Sequence, residues 1–210
     1  MTNMAASRTS SSALFPAPEL PTAALGALGV GGVALPPVPP RAPGQGRVER
    51  AWAVLGGVAD PEVPALSVTD LGLVREVTES PEGLQVVVTP TYSGCPATEV
   101  IEASIRQALE ADGLGPVVVS QRRSPAWTTD WISDAGRERL RAYGIAPPGR
   151  CGESTTAAAE QPVRLMARGV ACPHCGSAQT ERLSAFGATA CKALYRCLAC
   201  REPFEHFKPI

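Results

Sequence analysis

Histidine is nearly missing from this chain. There are two, His174 and His206, and none in residues 1–173. A Cys–His hydrolase pair would therefore have to borrow its base from the last segment, which argues against a thiol protease. A nucleotide-binding glycine fingerprint, a flavin motif and the paired Glu-x-x-His of a di-iron centre are also missing. Residues 1–46 carry only three charges (Arg8, Glu19, Arg41) against eight prolines. Such a segment buries too little apolar surface to offset the entropy of ordering it, and it reads as a disordered leader. Its apolar stretch, Ala23 to Leu35, is interrupted by four glycines and bounded by prolines. It fits neither a secretion signal nor a membrane span. The expectation is a soluble cytoplasmic protein.

Cysteine, in contrast, is patterned. Cys172-Pro173-His174-Cys175 is followed after twenty-one residues by Cys197-Leu198-Ala199-Cys200. Two Cys-x-x-Cys pairs at this separation are the spacing of a zinc ribbon, in which each tight turn presents two thiolates to a tetrahedral ion. Residues 164–210 hold too few apolar side chains to fold unaided, so ligation would supply the missing free energy. Zinc is the first candidate and an iron–sulfur cluster the second. Cys191 is a further thiol in this segment, either a spare sulfur in the hairpin or an extra ligand of a cluster. His174 falls between two ligands, but four cysteines already complete the shell.

Upstream, Val48, Trp52 and Leu55 space as one stripe of a short helix from Arg47. Two strands follow, Gly72–Thr78 and Leu84–Thr89, joined by the turn Ser80-Pro81-Glu82-Gly83. Ile101, Ile105 and Leu109 define an amphipathic helix over 96–111, with Pro96 at its first position and Cys95 at its N-cap. Val117–Gln121 is a third strand. Ser133 caps a last helix that Gly144 ends near Tyr143. The fold class is α+β: an α-β-β-α-β-α domain over 47–145, a Pro/Gly/Ala/Ser/Thr linker over 146–163, and a zinc-ribbon-like metal domain over 164–210. Residues 48–149 hold 8 basic and 14 acidic side chains, and residues 164–210 hold 7 and 3. An acidic body joined to a basic ribbon favours protein partners over nucleic acid.

Cys95 is the candidate functional thiol. The positive end of a helix dipole favours thiolate, hence nucleophilicity or metal ligation, although a lone cysteine also serves as a small buried residue. Asp60 and Asp70 read either as oxygen ligands near Cys95 or, more commonly for such positions, as turn and cap residues. Trp127 and Trp131 either anchor a partner or close the core.

Three stretches carry a family resemblance. Asp60-Pro61-Glu62-Val63-Pro64, with Ser67-Val68-Thr69-Asp70-Leu71-Gly72, is similar to the signature of a SufT-like family of small iron–sulfur maturation proteins. Thr89-Pro90-Thr91-Tyr92-Ser93-Gly94-Cys95-Pro96 resembles that family's reactive-cysteine loop. Phe186-Gly187-Ala188-Thr189-Ala190-Cys191-Lys192-Ala193-Leu194-Tyr195-Arg196-Cys197, continuing to Glu202-Pro203-Phe204, resembles the ribbon of the PaaD (PaaJ) family, and the Trp127/Trp131 loop agrees with it. The resemblance covers Val48 to Ile210. It implies an accessory subunit of the phenylacetyl-CoA ring-1,2-epoxidase system of aerobic phenylacetate breakdown, not itself catalytic. Such a subunit would help place iron or an iron–sulfur cluster in the oxygenase subunits or in their iron–sulfur flavin reductase. The resemblance also strengthens Cys95 as the functional thiol and lifts Asp70 with it. The other reading is a purely structural binding subunit with an architectural ribbon.

Overall fold

A computed structural model describes residues 34–92, 97–149 and 169–210. Helix α1 is Arg47–Leu55, and strands β1 (Val74–Ser80) and β2 (Gly83–Val88) form a hairpin. Helix α2 (Thr98–Ala111) leads to β3 (Val117–Gln121), and a 3-10 turn at Thr129–Trp131 precedes α3 (Asp134–Ala142). The order α-β-β-α-β-α is thus the one the periodicities predict. Strand β2 lies between β1, antiparallel to it, and β3, parallel to it. A parallel neighbour requires a crossover, and α2 supplies it.

Local chemistry fixes the corners. At the hairpin, Gly83 has φ +127°, a conformation that L side chains rarely adopt, and a Cβ there would lie 2.2 Å from the Pro116 carbonyl oxygen. The Ser133 hydroxyl accepts the Gly136 N–H at 2.9 Å and caps α3, and Gly144 at φ +87° ends the turn that follows it. The expected stripe of α1 is rotated: Ala51, Val54 and Leu55 are buried, whereas Trp52 is 38% exposed. With Val58 they extend an i, i+3, i+4, i+7 face that Trp52 does not share.

The ribbon is a second sheet, ordered β4-β7-β6-β5, from Ile145–Ala146 (β4), Thr180–Ser184 (β5), Lys192–Cys197 (β6) and Pro203–Phe207 (β7). It does not stand apart from the body. Strand β4, which directly follows the body's last helix, pairs in parallel with β7. Phe207 and Cys191 belong to the same hydrophobic cluster as Leu71, Leu73, Val88 and Trp127. The Phe207 ring lies 6.1 Å from that of Trp127, whose Nε1–H donates to the Leu71 carbonyl at 2.9 Å. Burying a side chain such as Phe207 contributes about 1.5–3 kcal/mol. The Thr129 N–H donates to the Ile210 carbonyl at 3.2 Å and tethers the last residue. Trp127 is therefore core, and Trp131 packs against the same cluster with the Arg75 guanidinium 3.6 Å from its ring centre.

Candidate functional site

Each ribbon knuckle is a turn that aims two sulfurs the same way. The Gly176 N–H closes the first on the Cys172 carbonyl at 2.9 Å, with Gly176 at φ +76°. In the second, the Cys200 N–H donates to Cys197 Sγ at 3.5 Å and holds that thiol down to about 6, so it ionises readily at neutral pH. The sulfurs of Cys172 and Cys200 lie 3.8 Å apart and those of Cys175 and Cys197 3.5 Å, and all four fall within 4.8 Å of one another. A tetrahedral ion with metal–sulfur bonds of about 2.3 Å requires sulfur–sulfur separations of about 3.8 Å, so this donor set fits one ion. Cys172 and Cys197 are buried, and no fifth His, Cys, Asp or Glu joins the group among the described residues. Such a closed shell is that of a structural site.

His174 is exposed and lies beside Gly144, outside the ligand set. Of the two readings of Cys191, spare sulfur or extra ligand, the described structure leaves it outside the ligand set. Its side chain turns into the other core, where Thr189 Oγ1 lies 3.0 Å and Glu62 Oε2 3.7 Å from its sulfur. The reason is distance along the strand: Cys191 immediately precedes β6, whose far end carries Cys197 and the knuckles, six residues or roughly 20 Å away.

The seam between body and ribbon holds a pocket of about 480 Å³, measured out to its open mouth. Asp60, Glu62, Thr89, Thr91, Thr98 and Cys191 supply its polar lining, and Phe207 part of the apolar wall. Asp60 is 6% exposed, and its Oδ1 accepts the N–H groups of Glu62 at 2.9 Å and Val63 at 2.8 Å. That is the turn-capping role its sequence position suggests. Burial pushes the Asp60 carboxyl above its ordinary value, against the pull of those two N–H groups. Burial likewise raises the Cys191 thiol, which thus stays protonated, and the neighbouring Glu62 charge adds to the effect. Lys192, 5% exposed, pairs with Glu205 at 2.7 Å beside this group.

Asp70 faces a different set of neighbours. Its Oδ2 accepts from the Ser67 N–H (3.1 Å) and hydroxyl (2.8 Å) and pairs with Arg139, while Oδ1 accepts from the Ser133 hydroxyl at 3.1 Å. Both oxygens are thus engaged in joining the Ser67–Asp70 turn to α3. The N-cap of α2 is Ala97, not the expected Cys95, because the helix opens at Thr98. Cys95 itself lies outside the described residues, as does Pro96. The nearest described residues that bracket them in the pocket wall are Thr91 and Thr98. Sequence reading missed the meeting of Cys191 and Glu62. They are 129 positions apart, and no local periodicity signals the contact.

Comparison with known proteins agrees with this architecture. The family described as "Iron-sulfur cluster assembly protein" matches residues 49–120, and "PaaD zinc beta ribbon domain" matches residues 150–208. The chain is 52% identical over 164 residues to a subunit of the "Putative 1,2-phenylacetyl-CoA epoxidase" of Escherichia coli K12, covering 78% of this chain and 94% of that one. The chain belongs to the PaaD family. Among solved structures, it is similar to a domain of unknown function, DUF59, from Bacillus anthracis, at 25% identity over 45% of this chain and 91% of that one, TM-score 0.42. It is also similar to a Mycobacterium tuberculosis protein associated with Fe–S complex assembly and repair, at 38% identity over 47% and 83%, TM-score 0.27. Within the PaaD architecture the cysteine cluster sits in the ribbon segment and the seam pocket in the body, closed on one side by the ribbon's Cys191 and Phe207. No described helix is long and apolar enough to cross a membrane.

Proposed function

We propose that this chain is an accessory maturation factor of the phenylacetyl-CoA ring-1,2-epoxidase system in aerobic phenylacetate degradation. It assists the insertion of iron or iron–sulfur clusters into the oxygenase or its reductase. Family membership supports the system, and the match of residues 49–120 to an iron–sulfur assembly family supports the task. The observation that carries the reading is the seam pocket: Thr91 and Thr98, on either side of Cys95 in sequence, line the same pocket as Asp60, Glu62 and Cys191. In this account Cys95 transiently holds the cargo, iron or sulfide. Asp60 and Asp70 shape the two acidic loops through the hydrogen bonds described above, leaving catalysis to the partners. Zinc is the ion that Cys172, Cys175, Cys197 and Cys200 hold, since sulfurs this close suit one ion, whereas a cluster distributes its thiolates over several irons. The ion locks the knuckles, and the ribbon, with exposed Phe186 and Leu183, offers the docking surface.

The test is to replace Cys95 by Ser and purify the oxygenase and reductase after co-expression. The variant is expected to keep its fold and its zinc yet yield partners poor in iron. Full iron loading by Cys95→Ser would overturn the maturation role. A second reading, a purely structural role in the complex, draws on the engagement of both Asp70 oxygens in fold-stabilising bonds. It predicts that Cys95→Ser is silent, while loss of Cys197 abolishes assembly.

A further inference from the structure

The outer edge of the ribbon carries apolar surface and positive charge together. Strand β5 has β6 on one side and no strand on the other among the described residues. Just beyond it Phe186, 64% exposed, is the most exposed large apolar side chain described, and Leu183 within the strand is 49% exposed. The backbone around Phe186 is held in place. Its N–H donates to the Ser184 hydroxyl at 3.2 Å, the Gly187 N–H to the Lys192 carbonyl at 2.8 Å, and the Ala188 N–H to Glu205 Oε1 at 2.8 Å. The Lys208 ammonium lies 4.4 Å from the centre of the Phe186 ring. A ring fixed in this way loses little conformational freedom when a partner covers it. Charge is unbalanced at the same edge. Residues 169–210 hold five Lys and Arg against three Glu. Lys192 and the Ala188 N–H occupy Glu205, and Arg196 occupies Glu181. Arg182 and Lys208 pair with no carboxylate among the described residues.

We propose that this edge, centred on Phe186 and Leu183 and flanked by Arg182 and Lys208, docks an acidic protein surface with an apolar centre. Carboxylates facing the two cations steer the encounter, and burial of Phe186 and Leu183 supplies the affinity. The pairing of β5 with β6 slips between Arg182 and Ser184, and such an irregularity, with a charge beside it, keeps an open edge from simply adding a strand. The contact is therefore made by side chains. Single-stranded nucleic acid also favours basic surfaces with aromatic rings, but stacking successive bases takes several exposed rings. Here Tyr195 stacks on Phe204 with ring centres 5.8 Å apart, and Phe207 is buried. Phe186 is the ribbon's one exposed ring among the described residues. The inference rests on the maturation reading only in taking the oxygenase or its reductase as the bearer of the acidic surface.

The experiment uses the full chain with its ribbon filled with zinc, titrated calorimetrically with purified oxygenase and with purified reductase. One of the two is expected to bind, more weakly as salt rises. Phe186→Ala should weaken binding at least about tenfold at every salt concentration. Arg182→Glu combined with Lys208→Glu should weaken it by a similar factor at low salt, and the difference should shrink at high salt. None of the three side chains is buried, so zinc content and thermal midpoint should match those of the parent chain. No binding to either protein, or binding that the substitutions leave unchanged, would overturn the inference. Substitutions that instead abolish binding of a single-stranded oligonucleotide, or self-association of the chain through its acidic body, would also overturn it. Cys95→Ser separates the two readings. If the ribbon variants lose the partner while Cys95→Ser still loads iron fully, the maturation role fails and this surface stands. If they bind the partner normally while Cys95→Ser leaves it poor in iron, this surface fails and the maturation role stands.

Discussion

Asp70 illustrates how one side chain links sequence to architecture. It ties the Ser67–Asp70 turn to the N-cap serine and an arginine of α3, elements more than sixty residues downstream. Replacing it by Asn keeps the size but removes the charge that Arg139 and the Ser67 donors meet. The expected loss is about 1.5–3 kcal/mol, the value of hydrogen bonds to a charged group, read as a lower midpoint in urea. The ribbon zinc content should not change, because none of these partners touches the knuckles. An unchanged midpoint would remove Asp70 from the scaffold and leave it free to act as a ligand. At this scale sequence pattern was informative where chemistry is local. The turn role of Asp60, the cap at Ser133 and the stop at Gly144 all depend on neighbours within three residues. The Glu62–Cys191 contact depends on how two sheets meet, and nothing near either residue encodes it.

At the scale of elements, the second sheet is the part that a reading by segments could not assemble. Strand β4 is two residues long, too short for any periodicity, yet it joins the ribbon's sheet to the body's last helix. Its register places Ala146 opposite His206. His206 is 8% exposed, with the Tyr195 ring 5.5 Å away and nearly perpendicular, and burial lowers its pKa below the ordinary 6.5. Between the folded value and 6.5 the unfolded chain therefore holds more protons than the folded one. Stability is full above about pH 6.5 and falls as pH drops through that value toward the folded pKa. His206→Gln should flatten this slope. Acid loss of metal acts on both proteins alike, so the difference between their pH–stability curves isolates the imidazole. Parallel curves would contradict the assignment. By contrast, the three-stranded sheet and its two covering helices were legible because each is long enough to show its period: Ile101, Ile105 and Leu109 are buried as their spacing implies. The rotation of α1 away from Trp52 was not, because in nine residues two stripes fit almost equally well.

For the whole molecule, the acidic body and the basic ribbon are not beads on a linker. They share a core through Phe207 and Cys191, a strand pairing through β4, and a tether between Thr129 and Ile210. A metal ribbon fixed in this way can hold one wall of a pocket in the body, which a loosely linked one could not. Filling the ribbon therefore also preserves the seam, since the free energy of ligation is folding free energy for a segment with so small a core of its own. The family relationship was legible because its motifs are contiguous in sequence, and the joint was not because its residues are scattered over the chain. The central claim, that the molecule serves to load metal into its partners, is tested most directly by counting iron. Oxygenase and reductase would each be purified after co-expression with and without this chain, and iron per protein measured. The account predicts iron-poor partners in its absence, with activity returning on chemical reconstitution. Partners fully loaded with iron, but failing to assemble into a complex, would contradict it.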